Sequence, residues 1–277
     1  MVISREAASL GDPVRSAVSY ALSGGGKRLR GMLVIAAYRA AGGDGDVSGI
    51  GAAVEIIHTY SLVHDDLPCM DDDDVRRGRA ATHRAFSVPI ATAAGAAMIP
   101  LAAQVASRSS AELRLPASLS GTIVKVLMQG AGAGGMIGGQ LRDLAGEGIE
   151  LSRDDLDVIH RSKTGALIAA SVRLGGLAAR ADARQVDAFG HYGESIGLAF
   201  QIMDDVLDVT SSSDRLGKTA GRDAELQKST YPALLGVDGA VGRAAELVED
   251  GCSALRKEGL LTGELESLAD FIVSRSH

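Results

Sequence analysis

Two dense clusters of aspartate are the residues of this sequence most able to do chemistry. The first runs from Asp65 to Asp74 and the second from Asp204 to Asp208, about 140 residues further along the chain. So many carboxylates in one folded protein would repel one another unless cations lay between them. Carboxylate oxygens are hard ligands that suit Mg²⁺, which shares its coordination shell with water and phosphate oxygens. Arginines and lysines follow both clusters and suit the phosphates themselves. The pattern therefore predicts a site that holds a polyphosphate through metal ions.

The second cluster has the spacing of one face of a helix. Its polar members recur at intervals of three and four residues, which places them on the same side: Gln201, Asp204, Asp205 and Asp208. A solvated acidic face would show the same spacing and is the alternative interpretation. Lys218 and Lys228 follow the cluster and favour the metal site, because ammonium groups bind the phosphate oxygens that accompany a metal ion.

The first cluster does not fit a straight helix. Asp65 and Asp71 are six residues apart, which corresponds to about 240° of rotation, so they cannot share a helix face. Pro68 lies between them and permits a kink or bulge. A distorted turn would bring Asp65, Asp66 and Asp71 around one pair of ions. The remaining residues, 72–74, are predicted to be exposed charge rather than ligands.

The composition favours a large helical core. The 277 residues are 46% hydrophobic and 23% charged, whereas aromatic residues make up only 3%. Such a chain suits helices rich in alanine and leucine better than a many-stranded sheet. The formal net charge is −7, and no patch of mixed aromatic and basic residues suggests nucleic acid as a partner. Cys69 and Cys252 lack the spacing of a disulfide framework or zinc site, and no signal peptide is visible. We therefore expect a reducing cytoplasm.

Glycine-rich breaks divide the chain into helical segments, of which residues 23–26 form the first. From Val47 onward apolar residues recur at helical spacing almost all round, which predicts a helix deep in the fold. A further helix is predicted for Ala183–Val209, followed by a mobile, phosphate-facing loop. Ile90–Ser107 is long enough to span a membrane. However, its small and polar residues favour a buried helix, so no stable membrane insertion is expected. No repeat or linker divides the chain, and we predict one all-α domain of about ten helices over residues 1–277.

The chain resembles the trans-prenyltransferases, or polyprenyl diphosphate synthases, over nearly its whole length. The likeness is greatest to bacterial farnesyl diphosphate synthases. Six blocks carry it in the family's order: GGGKRLR from Gly24, HTYSLVHDDLPCMDDDDVRRGRAATH from His58, GGQLRDL from Gly138, KTGALI from Lys163, FQIMDDVLDV from Phe200, and LGKTAGRD with QKSTYP after it. The resemblance implies a helical bundle around a deep central cavity, a homodimer, and three Mg²⁺ ions in each active site.

The resemblance also implies a role for individual residues. The metal ligands would be Asp65 and Asp71 for two ions and Asp204 for the third, with Asp66 and Asp208 in support. The diphosphate of isopentenyl diphosphate would be held by Lys27, Arg30, His58 and Arg77. The allylic diphosphate would be held by Arg76, Lys163, Lys218 and Lys228, with Thr164 and Gln201 beside it. The catalytic residues would be Asp65, Asp66, Asp71, Lys163, Asp204 and Lys218.

The implied reaction is a head-to-tail condensation. An allylic diphosphate (dimethylallyl or geranyl) ionises, Mg²⁺ with lysine and arginine stabilises the leaving diphosphate, and the isopentenyl double bond attacks the cation. In this family chain growth stops where the tail meets a bulky side chain on the helix before the first aspartate motif. Tyr60 lies five residues before Asp65, about 7.5 Å along a helix, and Ser61 beside it is too small to block. We therefore expect farnesyl diphosphate, with geranylgeranyl diphosphate as the alternative.

Three other classes compete with this interpretation. A terpene cyclase uses a similar first motif but would normally carry an Asn/Ser/Glu metal motif in place of the second aspartate cluster. A head-to-head condensing enzyme would lack the GGGKRLR block, and a non-catalytic regulatory subunit would have lost carboxylates.

The sequence departs from the family in three places. Gly31 stands where proline is common, Gly95-Ala96-Ala97 replaces Gly-Asp-Ala, and the N-terminus is short by about one helix.

Overall fold

The computed structural model describes residues 7, 9–210 and 228–274. In these ranges the chain forms twelve α-helices, one π-helical turn over Arg161–Gly165, and strands β1 (Val75–Arg76) and β2 (Arg79–Ala80), which pair in antiparallel fashion. The helices are α1 (Val14–Leu22), α2 (Leu29–Ala40), α3 (Ser48–Asp65), α4 (Thr82–Ala85), α5 (Val88–Glu112), α6 (Ala117–Ala131), α7 (Met136–Ala145), α8 (Arg153–His160), α9 (Ala166–Ala178), α10 (Ala183–Thr210), α11 (Tyr231–Lys257) and α12 (Gly263–Ser274). The predicted all-α class is confirmed. The mobile loop was predicted over Thr210–Pro232. Its residues 211–227, with Lys218 among them, lie outside the described residues, whereas Thr210 ends α10 and Tyr231 and Pro232 begin α11.

Helix α3 lies deep in the fold, as its apolar pattern predicts. It packs against α2 and α5, and Ile50, Val54 and Ile57 are fully buried. A helix that is apolar on all sides is stable only when neighbours surround it. Because α3 ends at Asp65, its burial carries the first aspartate cluster into the interior of the protein.

Two hydrophobic cores share the helices α2 and α9. One core forms around α3, α5 and α6, and the other around α10, α11 and α12. Helix α9 contributes Leu167 and Leu174 to the first core and Ile168 and Val172 to the second. It lies so close to α2 that a Cβ on Gly175 would meet the Val34 carbonyl oxygen at 2.4 Å. This close packing joins the two cores and fixes α3 relative to α10.

Helix α5 is the one helix of the described residues that is long and apolar enough to cross a membrane. It contains Pro100 and packs against α3 and α6. Ala91, Ala94 and Met98 are fully buried in the core that it shares with α3. One side of this helix therefore packs in the core.

Candidate active site

The first aspartate cluster begins where α3 ends and the chain turns sharply. The N–H of Leu67 donates to the carbonyl of His64 at 3.1 Å. The N–H of Asp71 donates to the carbonyl of Asp65 at 2.8 Å, which returns Asp71 to the end of the helix. This is the distorted turn predicted around Pro68. On a straight helix Asp65 and Asp71 would lie on different faces, and the turn brings them together.

The two aspartate clusters line one cavity of about 280 Å³, which we name the acid cavity. Its wall contains the carboxylates of Asp65, Asp71, Asp73, Asp143, Asp204 and Asp205. Arg76, Lys163 and Lys228 line the same cavity. Carboxylates and cations that lie far apart in sequence are thus brought together as the sequence predicts.

The electrostatics of the acid cavity fit a divalent cation. Burial raises the pKa of Asp65 to about 7, Lys163 opposes this rise, and the neighbouring Asp71 carboxylate adds to it. A carboxyl group that resists ionisation among other carboxylates gains most from a nearby cation. Oxygen donors from Asp65, Asp71 and Asp204 are the ligand type that Mg²⁺ prefers, so the residues present fit this ion.

Asp66 and Asp73 both contact Arg76. Asp66 is buried, does not line the acid cavity, and accepts hydrogen bonds from Nε of Arg76 at 2.9 Å and from a second guanidinium nitrogen. Asp73 accepts from the same guanidinium at 3.0 Å. Residues 72–74 were predicted to be exposed, and this is wrong for Asp73. Asp73 is partly buried because the β1–β2 hairpin places Arg76 beside it. Asp66 and Asp73 therefore orient Arg76 from two sides.

The second cluster divides its carboxylates between the cavity and the fold. Asp204 lines the acid cavity, whereas Asp205, although it also reaches the wall, is buried and bonded. Its Oδ2 accepts the N–H of Tyr231 at 3.0 Å and lies 3.3 Å from Nε2 of His160. Asp208 is buried as well. Asp205 thus fastens α8 and α11 to α10, a positioning contact that the helical spacing alone does not indicate.

Asp143 holds two of the predicted phosphate-binding lysines. Its Oδ2 accepts from Nζ of Lys163 at 2.6 Å and from Nζ of Lys228 at 2.8 Å, and Glu147 lies 3.4 Å from Lys228. Burial raises the pKa of Asp143, but the two lysines outweigh burial and lower it to about 2. This carboxylate is therefore ionised at neutral pH and keeps both ammonium groups at the wall of the acid cavity.

The π-helical turn presents Lys163 and Thr164 to the site. Thr164 donates its hydroxyl hydrogen to Oε1 of Gln201 at 2.7 Å, which links the turn to α10. A Cβ on Gly139 would meet the backbone nitrogen of Lys163 at 2.1 Å. Glycine at position 139, which has no side chain, therefore lets α7 lie against this turn. A π-helical segment places its side chains off the regular helical positions, and here it directs Lys163 toward the acid cavity.

The predicted isopentenyl-diphosphate residues meet in a second pocket, which we name the basic pocket. It has a volume of about 350 Å³. Lys27, Arg30, His58 and Arg77 all line it, and Nζ of Lys27 lies 5.2 Å from the centre of the Phe271 ring. A central cavity of about 370 Å³ connects the two regions, because Arg30 and His58 line it together with Asp65, Lys163 and Asp204.

Charge and burial equip the basic pocket for an anion. Burial and four arginines, led by Arg30 and Arg77, lower the pKa of His58 well below its usual value, so this imidazole is neutral at neutral pH. Burial also lowers the pKa of Arg30. The Nε of Arg30 is buried and has no hydrogen-bond partner among the described residues. A buried donor left unpaired is costly, and a bound anion would satisfy it.

Residues 12–254 match the family model of the polyprenyl synthetases. The chain belongs to this family. This polyprenyl synthetase is 44% identical over 270 residues to the farnesyl diphosphate synthase of Escherichia coli (strain K12). The match covers 95% of this chain and 90% of that protein. It is 39% identical over 269 residues to the geranylgeranyl diphosphate synthase of Cyanophora paradoxa, and this match covers 95% of this chain and 88% of that protein. Its fold matches a crystal structure of geranyltransferase from Helicobacter pylori complexed with magnesium and isoprenyl diphosphate. The TM-score is 0.82 at 29% identity, over 96% of this chain and 88% of that one.

Tyr60 and Ser61 of this polyprenyl synthetase both line the central cavity. The Tyr60 ring packs edge-on against His64, with 5.0 Å between ring centroids. Nε2 of His64 lies 3.1 Å from the carbonyl oxygen of Thr92 on α5, and a Cβ on Gly95 would meet that nitrogen at 2.2 Å. Gly95 is therefore required for α3 and α5 to enclose the cavity. The neighbouring departure from the family pattern, Ala96, is exposed and does not line it.

Sequence reasoning assigned no role to several residues that shape the site. Gln140 is buried and donates to Oδ1 of Asp71 at 3.3 Å. Glu55 is buried and accepts the N–H of Gly31 at 2.8 Å. Proline at position 31 has no N–H to donate, so the departure at Gly31 permits this bond. The GGQLRDL block was the available signal for Gln140 and Asp143, whereas no pattern marked Glu55, which lies between Val54 and Ile56 on the apolar part of α3.

Proposed function

We propose that this polyprenyl synthetase condenses isopentenyl diphosphate with dimethylallyl and geranyl diphosphates to give farnesyl diphosphate. The observation that carries the proposal is the central cavity, because it joins a carboxylate-rich wall at Asp65 and Asp204 to a basic wall at Arg30 and His58. One diphosphate bound through metal and another bound by arginine would place their isoprenoid parts in the same space. Such positioning turns a reaction between two molecules into a step within one complex.

Asp65, Asp71 and Asp204 would hold Mg²⁺, with three ions in each active site as the family resemblance implies. Bound Mg²⁺ supplies Lewis-acid stabilisation of the negative charge that develops on a leaving diphosphate. The residues of the chain contribute their own part beside it. Arg76, held by Asp66 and Asp73, and Lys163 and Lys228, held by Asp143, would bind the allylic diphosphate. Lys218 is proposed for the same role on the family pattern alone.

The proposed reaction balances in three steps. The C1–O bond of the allylic diphosphate breaks, the electron pair leaves with the diphosphate, and Arg76, Lys163 and Lys228 stabilise that charge. The double bond of isopentenyl diphosphate attacks C1 and forms the new C–C bond. A proton from C2 of the isopentenyl unit passes to the departing diphosphate. Thr164 and Gln201, paired at 2.7 Å, would face the cation with their oxygen atoms.

Product analysis tests this function. The purified protein is incubated with Mg²⁺, isopentenyl diphosphate and dimethylallyl diphosphate, and the dephosphorylated products are separated by chromatography. A fifteen-carbon alcohol is expected. Cyclic hydrocarbons formed from a single allylic diphosphate would instead identify a terpene cyclase. The absence of any product would favour a regulatory subunit, and a twenty-carbon alcohol would favour the geranylgeranyl alternative.

The two diphosphate sites should separate in kinetics. Arg30→Ala is expected to raise KM for isopentenyl diphosphate roughly 10-fold to 100-fold, since one charge-assisted hydrogen bond contributes about 1.5–3 kcal/mol. Lys228→Ala should raise KM for geranyl diphosphate instead, because Lys228 lies at the acid cavity. Steady-state measurements with each substrate varied in turn distinguish the two effects. The reverse pattern would contradict the assignment of the two sites.

Chain length should depend on Tyr60. Tyr60→Ala is expected to lengthen the product beyond fifteen carbons, because removing the ring deepens the central cavity next to His64. Tyr60→Phe is the matched control and should keep the wild-type product, since the ring remains. Chromatography of the products of both variants checks this. An unchanged product from Tyr60→Ala would show that another residue limits the tail.

The proposed assembly is a homodimer in the cytoplasm. The family resemblance supports the dimer, and the free thiols of Cys69 and Cys252 are consistent with a reducing compartment. Sedimentation equilibrium of the purified protein tests the assembly. A sharp monomer mass at micromolar concentration would oppose it.

A further inference from the structure

The four consecutive aspartates at residues 71–74 face two different directions. Asp71 and Asp73 line the acid cavity, whereas Asp72 and Asp74 are exposed and do not line it. Asp72 has a left-handed backbone conformation (φ 49°), which turns the chain between Asp71 and Asp73. Two carboxylates of the first motif are therefore not directed at the proposed diphosphate site.

His83 on α4 lies beneath Asp72 and Asp74. Its side chain is only 1% exposed, and its Nε2 lies 4.0 Å from Oδ1 of Asp74. Neither ring nitrogen has a hydrogen-bond partner among the residues that the structure describes. Burying an imidazole without partners is unfavourable. A ligand that both satisfies His83 and draws in the two carboxylates would remove this cost.

One ligand atom from each of Asp72, Asp74 and His83 lies within 4.8 Å of the other two. In a tetrahedral shell with bonds of about 2.0–2.2 Å, two ligand atoms lie roughly 3.4 Å apart. The three atoms therefore need to close by at most about 1.5 Å, and the exposed aspartate side chains can rotate to do so. Arg84 contacts Asp74 through its Nε, but a carboxylate has two oxygens and can accept from arginine while it binds a cation.

We propose that Asp72, Asp74 and His83 bind one transition-metal ion of the Zn²⁺ class. One imidazole nitrogen with two carboxylate oxygens favours Zn²⁺, Co²⁺ or Mn²⁺ over Mg²⁺, which prefers an all-oxygen shell. The site is separate from the proposed catalytic ions and does not depend on the proposed condensation.

The metal would fasten the segment before β1 to α4. These two segments already touch, because the N–H of Ala81 donates to the carbonyl of Asp74 at 2.8 Å. The hairpin between them carries Arg76 and Arg77, which line the acid cavity and the basic pocket respectively. An ion at this position would therefore restrain the hairpin that presents both arginines.

The test uses metal binding by the full-length protein without any diphosphate. The protein is first freed of metal with a chelator, and the variant Asp65→Asn/Asp71→Asn/Asp204→Asn serves as the background in which the three proposed catalytic metal ligands are removed. Co²⁺ is titrated and followed by its visible absorption, and Zn²⁺ by calorimetry. One equivalent is expected to bind. Adding His83→Asn should weaken binding by more than about 100-fold, since loss of a ligand exceeds the 10-fold to 100-fold cost of losing a residue that supports one.

His191→Asn is the matched control. His191 is exposed and pairs with Asp250 at 2.7 Å, so it is a histidine–carboxylate pair elsewhere on the surface. This variant should bind Co²⁺ as the background does. If His83→Asn fails to fold, as judged by circular dichroism, Asp72→Asn and Asp74→Asn carry the test because both residues are exposed. The proposal is overturned if the background binds no metal, or if His83→Asn and His191→Asn behave alike. Condensation activity with Mg²⁺ is measured separately, so its failure does not affect this result.

Discussion

Replacing Asp204 or Asp65 with alanine is expected to lower turnover by at least 10²-fold to 10³-fold, the range found when one preorganised charge-stabilising group is removed from an active site. Both carboxylates line the acid cavity and the central cavity. Each loss would weaken divalent-metal binding where the diphosphate charge develops. The measurement is kcat with isopentenyl and geranyl diphosphates at saturating Mg²⁺.

Asp187→Ala provides the control for Asp204. Asp187 lies on the same helix, α10, but is exposed, so its loss should leave turnover unchanged. Asp65→Ala should not destabilise the fold, because burial already disfavours the ionised Asp65 carboxylate and raises its pKa to about 7. Near-normal turnover in Asp65→Ala or Asp204→Ala would contradict the proposed active site.

Asp143→Asn is expected to lower kcat/KM for the allylic substrate by about 10²-fold to 10³-fold, because breaking a buried ion pair leaves the partner charge uncompensated at a cost of about 3–5 kcal/mol. Asp143 holds Lys163 and Lys228 on one carboxylate oxygen. Burial disfavours the charged form of Lys163, but Asp143 and other carboxylates outweigh burial and raise its pKa. Without Asp143 the pKa of Lys163 falls, and Lys163 loses its charge at a lower pH. The difference in activity between the variant and the wild type should therefore grow as pH rises. Kinetics from neutral to alkaline pH check this.

Glu147→Gln is the control for Asp143→Asn. Glu147 contacts only Lys228 of this pair, at 3.4 Å, and its loss should have a small effect. The double variant Asp143→Asn/Lys228→Ala should lose less than the sum of the two single effects, because both act through one contact. Additive losses, or equal effects on both substrates, would mean that Asp143 acts on the fold rather than on the allylic diphosphate site.

Local pattern in the sequence predicts most of the framework of the site. The apolar repeat before Asp65 predicts the buried helix α3, because a helix without a polar face must be surrounded. The predicted helix 183–209 agrees with α10 to within a residue. Ser152 precedes two aspartates in a pattern typical of a helix start, and it accepts the N–H of Asp155 at 3.2 Å. These helices and helix ends depend on residues only a few positions apart, so they can be predicted from the sequence alone.

The sequence by itself determined which residue types gather at the site, and the six family blocks determined the fold and the family. Only the tertiary structure decided how the charges pair. Asp66 and Asp73 are bound to Arg76, Asp205 to Tyr231, and Asp143 to two lysines. Each of the last two pairings joins residues at least 20 positions apart. Some carboxylates face a metal, whereas others bind an arginine, a lysine or a backbone N–H of another segment. The packing of separate helices decides between these two roles. Helical spacing places a side chain on a face but does not say what packs against that face.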